Sequence, residues 1–218
     1  MEEQYYLAYP LVIALCSRAT LRKVLIGAII GAPVLRCLGY LVLPESAFLS
    51  FYVLTPFRMD ALAMGGLIAL MLREGGLPFS KRQLQAVALI CFSAVAAIFV
   101  FVSTDPTGKL MRTVGYSIID LGCAALLALV ITSAGSRAVA ILRRQPLVYI
   151  GQIAYGLYLL HAPTSFVVRA MLSRRFHIEP HSSWNFLLSL AAAFVVASLS
   201  WFLFEKPVLR LKDRFTRS

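Results

Sequence analysis

The 218-residue chain is 60% hydrophobic and only 14% charged, with a mean hydropathy of +0.80, whereas charged residues make up about a quarter of a soluble globular protein. This composition excludes a soluble domain and implies an integral membrane protein. The net charge of +11 sits mostly in short segments between apolar runs, so membrane topology accounts for it and no nucleic-acid partner is expected.

Seven apolar runs follow one another along the chain: about 4–16, 24–43, 48–72, 84–103, 114–133, 148–172 and 184–204. The expected fold class is therefore all-α, a polytopic transmembrane helical bundle of about seven spans in one domain over residues 1–218. The first run is short, because thirteen residues rise about 20 Å against a hydrocarbon core of about 30 Å. The N-terminus carries Glu2 and Glu3 where a signal sequence would be basic, so no removable targeting peptide is expected. Cys16, Cys37, Cys91 and Cys123 fall inside apolar runs without a Cys-x-x-Cys pair, which points to neither a disulfide framework nor a zinc site.

Orientation follows from the connections. Arg18, Arg22 and Lys23, then Arg73, Lys81 and Arg82, then Arg137, Arg143 and Arg144, and the basic tail from Lys206 all fall on one side. The other side takes Glu2, Glu3, Glu45, Asp105 and Glu179 with few basic residues. Retention of Lys and Arg in the cytoplasm places the N-terminus outside and the C-terminus inside, in a multi-pass inner-membrane protein surrounded by the lipid bilayer. Gly27 and Gly31, with Gly65, Gly66, Gly115 and Gly122, offer small faces for helix packing in lipid. Pro33, Pro56 and Pro163 each remove a backbone donor inside a run and are expected to kink it or expose a carbonyl.

Arg36, Arg58, Asp120 and His161 are ionisable residues within the runs. Counted at 1.5 Å per residue from the outer ends, Arg36 and Asp120 lie about 10 Å deep and Arg58 and His161 about 15 Å. All converge on the outer half of the bilayer or its midplane, where they can line one polar cavity with Glu2 and Glu3. Asp60 stands two residues after Arg58, about 200° around a regular helix, so the two cannot pair unless the helix is broken at Pro56. Either the helix is broken there, which puts Asp60 in the first turn of a new helix near Arg58, or each residue faces a different partner. A structural salt bridge from Arg58 to Asp120 is the alternative to a functional site. His161 precedes Pro163, whose freed carbonyls can fix the imidazole tautomer; a packed core histidine is the competing reading. His177, Glu179 and His181 resemble a metal site only in spacing and read as a solvated loop, so no metal is expected. Glu205 reads as an interface residue paired with Lys206 or Arg210.

Four segments then carry a family resemblance. Glu2-Glu3-Gln4-Tyr5-Tyr6-Leu7 with Tyr9-Pro10, Phe57-Arg58-Met59-Asp60-Ala61 with Gly65-Gly66, Leu147 to Pro163, and Phe204-Glu205-Lys206-Pro207 resemble, in order, the motifs of the C-terminal part of the acyltransferase-3 family of membrane O-acyltransferases. Ala154 stands where the family commonly has Ser. The family's preceding spans would lie before Met1, so the resemblance implies a chain truncated at its N-terminus. It also implies an acyl-CoA donor, no resident cofactor, and a glycan or glycolipid acceptor.

Acyl transfer to a hydroxyl needs a base, an oxyanion stabiliser and a route for both substrates. Glu3 or Glu2 is assigned to acceptor hydroxyls, Arg58 to the donor phosphates or the oxyanion, and His161 to hydrogen bonding in the cavity. Tyr6, Asp60, Asp120, Tyr155 and Tyr158 are expected to line it. Competing classes are a translocator of a lipid-linked sugar, which also uses broken helices and midplane charges, and an inactive bundle that binds a partner.

Overall fold

The computed structural model describes residues 2–44, 54–102, 105, 108–176 and 182–210, and among these it is helical with no strand. Four helical stretches are long and apolar enough to cross a membrane: Arg18–Val42, Lys81–Val102, Met111–Thr132 and Ser183–Arg210. The other runs differ for identifiable reasons. Helix α1 (Glu2–Leu15) has 14 residues and rises about 21 Å. The start of the third run, residues 48–53, lies outside the described residues, and the rest of it holds a 3-10 turn at Thr55–Phe57 followed by α3 (Met59–Arg73), 15 residues long. The sixth run is a 32-residue helix, Gln145–Phe176, long enough to span, but Gln152, His161 and its tyrosines dilute its apolar character.

Beside a small apolar core, the chain exposes large apolar side chains and buries a charged pair. Leu89, Ile90, Phe101 and Leu203 are exposed, while Arg36 and Asp60 are fully buried. Apolar side chains outside and charges inside are the arrangement that a hydrocarbon solvent selects.

The chain forms two compact units, residues 1–135 and 136–218. In the first, α1 meets α2 (Arg18–Val42) at Ser17, whose Oγ accepts from the Thr20 amide and caps α2. Helix α2 packs on α3, and α4 (Lys81–Ala97) packs on α5 (Tyr116–Thr132), which also touches α3. Leu21, Leu25, Ala63 and Leu70 form the α2–α3 core, with Tyr9 and Val12 of α1 against it. A capping box between Ser80 and Gln83 starts α4. Wide π turns extend α4 over Ile98–Val102 and precede α5 over Met111–Gly115.

The glycines divide by contact. A Cβ on Gly27 would meet nothing within 4 Å, so it does not serve close packing, whereas one on Gly122 would meet Cys91 Cβ at 3.1 Å and one on Gly66 would meet the Tyr9 hydroxyl at 2.5 Å. The prolines divide too. Helix α2 continues through Pro33, while Pro56 sits in the first turn of the 3-10 segment, where its missing N–H leaves no hydrogen bond unmade.

The second unit begins with the short α6 (Arg137–Ala140), capped by Ser136. Helices α7 (Gln145–Phe176) and α8 (Ser183–Ser200) pack together, burying Ile153, Asn185, Ala193 and Ala197. Tyr149 donates to Ser198 Oγ at 2.7 Å and stacks on Phe202. A π turn at Trp201–Glu205 ends α8. Its wide turn brings Glu205 back onto the bundle, where Ser200 Oγ donates to Oε1 at 3.1 Å. Lys206 lies over the Phe202 ring instead, so Glu205 is held by Ser200 rather than by Lys206 or Arg210.

Candidate functional site

The break at Pro56 creates the principal constellation. Arg58 occupies the junction between the 3-10 turn and α3, with φ −133° and ψ 9°, and Asp60 falls in the first turn of α3. Asp60 thus opens a new helix, whose N-terminus favours negative charge, while Arg58 and Asp60 also face different partners.

Asp60 does not pair with Arg58. Its partner is Arg36 of α2, whose Nη2 donates to Oδ2 at 2.8 Å and whose Nη1 approaches Oδ1 at 3.4 Å. Arg36 Nε donates to the Thr113 carbonyl at 3.0 Å, and the remaining N–H groups reach the Phe57 carbonyl and Ser117 Oγ. Ser117 in turn donates to Asp60 Oδ2. All five donors of the guanidinium therefore have an acceptor, which a fully buried cation requires. The π turn at Met111–Gly115 supplies the Thr113 carbonyl, in keeping with the frequent use of such turns at special sites.

Arg58 lies over the Tyr116 ring, 4.5 Å from its centroid. The Arg58 to Asp120 salt bridge is not formed: the ion pairs among the described residues are Arg36–Asp60 and Arg22–Glu74. Instead, Asp120 Oδ2 is buried without a hydrogen-bond partner among the described residues, although the charges of Arg58 and Arg36 reach it. Asp120 lines a cavity of about 170 Å³ between α3 and α5, with Ala61, Gly65, Ile68, Cys123 and Ala124. An orphaned carboxylate oxygen beside a cavity is a place for a ligand donor.

Gln4 ties the N-terminal motif to this junction. Its side-chain oxygen accepts from Thr55 Oγ1 at 2.6 Å and from the Thr55 amide at 3.4 Å. Glu2, Glu3 and Tyr6 belong to α1, and their side chains lie outside the described residues, as do His177, Glu179 and His181.

His161 stands in the second unit, on α7. Its Nδ1 is 2.6 Å from the Tyr158 carbonyl. A carbonyl only accepts, so Nδ1 carries the proton and Nε2 of a neutral ring is left as the acceptor. The carbonyl is Tyr158's, within the ordinary helical turn, and not that of Leu159, which Pro163 frees. Tyr158, His161, Ser165 and Arg169 line a groove of about 480 Å³ against Ser189 and Ala193 of α8. Tyr155 is exposed and is not among the groove residues. The first unit thus brings together Arg36, Arg58, Asp60 and Asp120, and the second holds His161 with Tyr158. Among the described residues no group of three His, Cys, Asp or Glu is placed to hold a metal.

A family model described as an acyltransferase domain matches residues 1–205. The chain belongs to the acyltransferase-3 family. No curated protein and no solved structure matches it. Three of the family-like segments now have a structural place: Glu2 to Leu7 on α1, Phe57 to Ala61 across the helix break, and Phe204 to Pro207 at the π turn. The fourth, Leu147 to Pro163, is the groove-bearing part of α7.

The clamp role of Arg36 is not legible in the sequence, although its depth is. Ser117, Tyr116, Thr113 and Thr55 carry no signal of their own in an apolar sequence, since a small hydroxyl or a single aromatic is ordinary in a membrane helix.

Proposed function

We propose that the protein is a multi-pass inner-membrane O-acyltransferase that moves an acyl group, acetyl foremost, from acyl-CoA to a hydroxyl of a cell-envelope or secreted glycan or glycolipid. The reading takes the chain as one domain, with its N-terminus outside and with α1, α3 and α7 also embedded to give seven spans. The acceptor hydroxyl attacks the thioester carbonyl, a base takes its proton, the carbon–sulfur bond breaks, and the CoA thiolate leaves and is protonated. Arg58 is aimed at the oxyanion or at donor phosphates, and Glu3 with Glu2 and Tyr6 at acceptor hydroxyls. His161 Nε2 is an acceptor for a proton or hydrogen bond, with Tyr155 and Tyr158 contacting substrate near it; Asp60 anchors the junction and Asp120 receives a substrate donor.

The observation that supports this reading, within a chain of an acyltransferase family, is a buried carboxylate oxygen of Asp120 on a cavity, without a hydrogen-bond partner among the described residues, within reach of the charge of Arg58 at the start of α3. The test is incubation of membranes containing the full-length protein with labelled acetyl-CoA and glycan acceptors. Label is expected on the glycan, with loss in Asp120→Ala at normal folded yield. Flipping of a lipid-linked sugar without label transfer would establish the translocator reading instead.

A further inference from the structure

Arg36 has no assigned role in the chemistry, yet its contacts bracket the candidate catalytic arginine on both sides. On the α3 side it binds the Phe57 carbonyl, one residue before Arg58, and the Asp60 carboxylate, two residues after. On the α5 side it binds the Thr113 carbonyl and Ser117, which flank Tyr116, the ring under Arg58. One guanidinium therefore fixes both the backbone that carries Arg58 and the aromatic platform on which Arg58 rests.

We propose that Arg36 is a positioning residue that sets Arg58 toward the developing oxyanion, a role that rests on the acyltransferase reading. The planar fork is what the site needs. Arg36 is fully buried and uses five donors in fixed directions, whereas a lysine offers three donors from a single point. The substitution Arg36→Lys would keep the charge opposite Asp60 but leave at least two of the acceptors unserved. The 3-10 turn and the start of α5 would then no longer share one reference point. Gln4 reports on the same junction independently, because it is bonded to Thr55 at the start of that turn.

The experiment uses the full-length protein in membranes, with Arg36→Lys and, as a milder variant that keeps the ion pair, Ser117→Ala. Turnover per folded molecule is measured against acyl-CoA concentration. In parallel, Gln4→Cys with Thr55→Cys, in a background without the native cysteines, is treated with a short bifunctional thiol reagent. Arg36→Lys is expected to lower kcat about 10²-fold, the scale of a small misplacement of a reacting group, with KM for the donor unchanged. It is also expected to slow cross-linking between positions 4 and 55, and Ser117→Ala should move both readouts the same way by less. Unchanged kcat per folded molecule together with unchanged cross-linking in either folded variant overturns the proposal. Loss of folded yield with full kcat in the remaining molecules does so too. If the unaltered protein transfers no acyl group while cross-linking still depends on Arg36, the acyltransferase reading fails and the positioning of the junction stands.

Discussion

Glu205 lies across Gly156: its Oε1 is 2.8 Å from the point that a Cβ on Gly156 would occupy, with the Ala197 backbone beneath at 3.6 Å. The close approach of α7 and α8 and the return of the π turn therefore meet at one small residue. Gly156→Ala is expected to push the flexible carboxylate off Ser200 and, relative to the control below, to cost about 1 kcal/mol, the net worth of the lost hydrogen bond. Gly151→Ala is the matched control, since nothing stands within 4 Å of its Cβ position. Thermal unfolding of the detergent-solubilised protein measures both. Equal transition temperatures would show that the contact is not restrictive.

The ion pairs Arg36–Asp60 and Arg22–Glu74 should differ in weight. Asp60→Ala leaves the fully buried Arg36 without its counter-charge, at an expected cost of about 3–5 kcal/mol. Glu74→Ala breaks the pair with the exposed Arg22 and should cost less than about 1 kcal/mol. Folded yield in membranes and unfolding temperature check the contrast.

Much of this organisation is legible in the sequence, and the limits have physical causes. The apolar runs locate the helices because a bilayer forces backbone groups to bond within their own segment. The angular separation of Arg58 and Asp60 leaves two arrangements open, a break at Pro56 or different partners for the two residues. The choice of partner is not legible, because Arg36 and Arg58 have the same chemistry and similar depth, and only tertiary packing decides which reaches Asp60. The partner of Glu205 differs from the expected Lys206 or Arg210 because a π turn adds a residue that no hydropathy pattern records. His161 stands out in the sequence as an ionisable residue inside an apolar run, and Glu3 by its place in a family-like motif.

Gly65 lines the cavity beside Asp120, and a Cβ there would meet nothing within 4 Å. Gly65→Leu should therefore fold normally while filling the space that the substrate is proposed to use. The expected result is a fall in acyl transfer of about 10²-fold, as for a displaced reacting group. Normal activity at normal yield would remove the cavity from the site.

The proposed topology gives a direct labelling pattern. With the native cysteines replaced, a cysteine at Lys109 should react with an impermeant reagent in intact cells, and one at Lys81 should not. Cysteines at Gln145 and Arg174 should be shielded and labelled respectively if α7 crosses the membrane. The opposite pattern at Lys81 and Lys109 would invert the site's facing.

On the proposed function Arg58 and Glu3 take part in acyl transfer and do not serve packing alone. Acylated glycan per folded molecule, measured by mass spectrometry for Arg58→Ala and Glu3→Ala in the full-length protein, tests it most directly. The account predicts that Arg58→Ala lowers transfer about 10²-fold to 10³-fold, the cost of losing a donor aimed at developing negative charge, and that Glu3→Ala also abolishes it, both with membrane insertion intact. Full activity per folded molecule in both variants would contradict the account and leave the cavity structural.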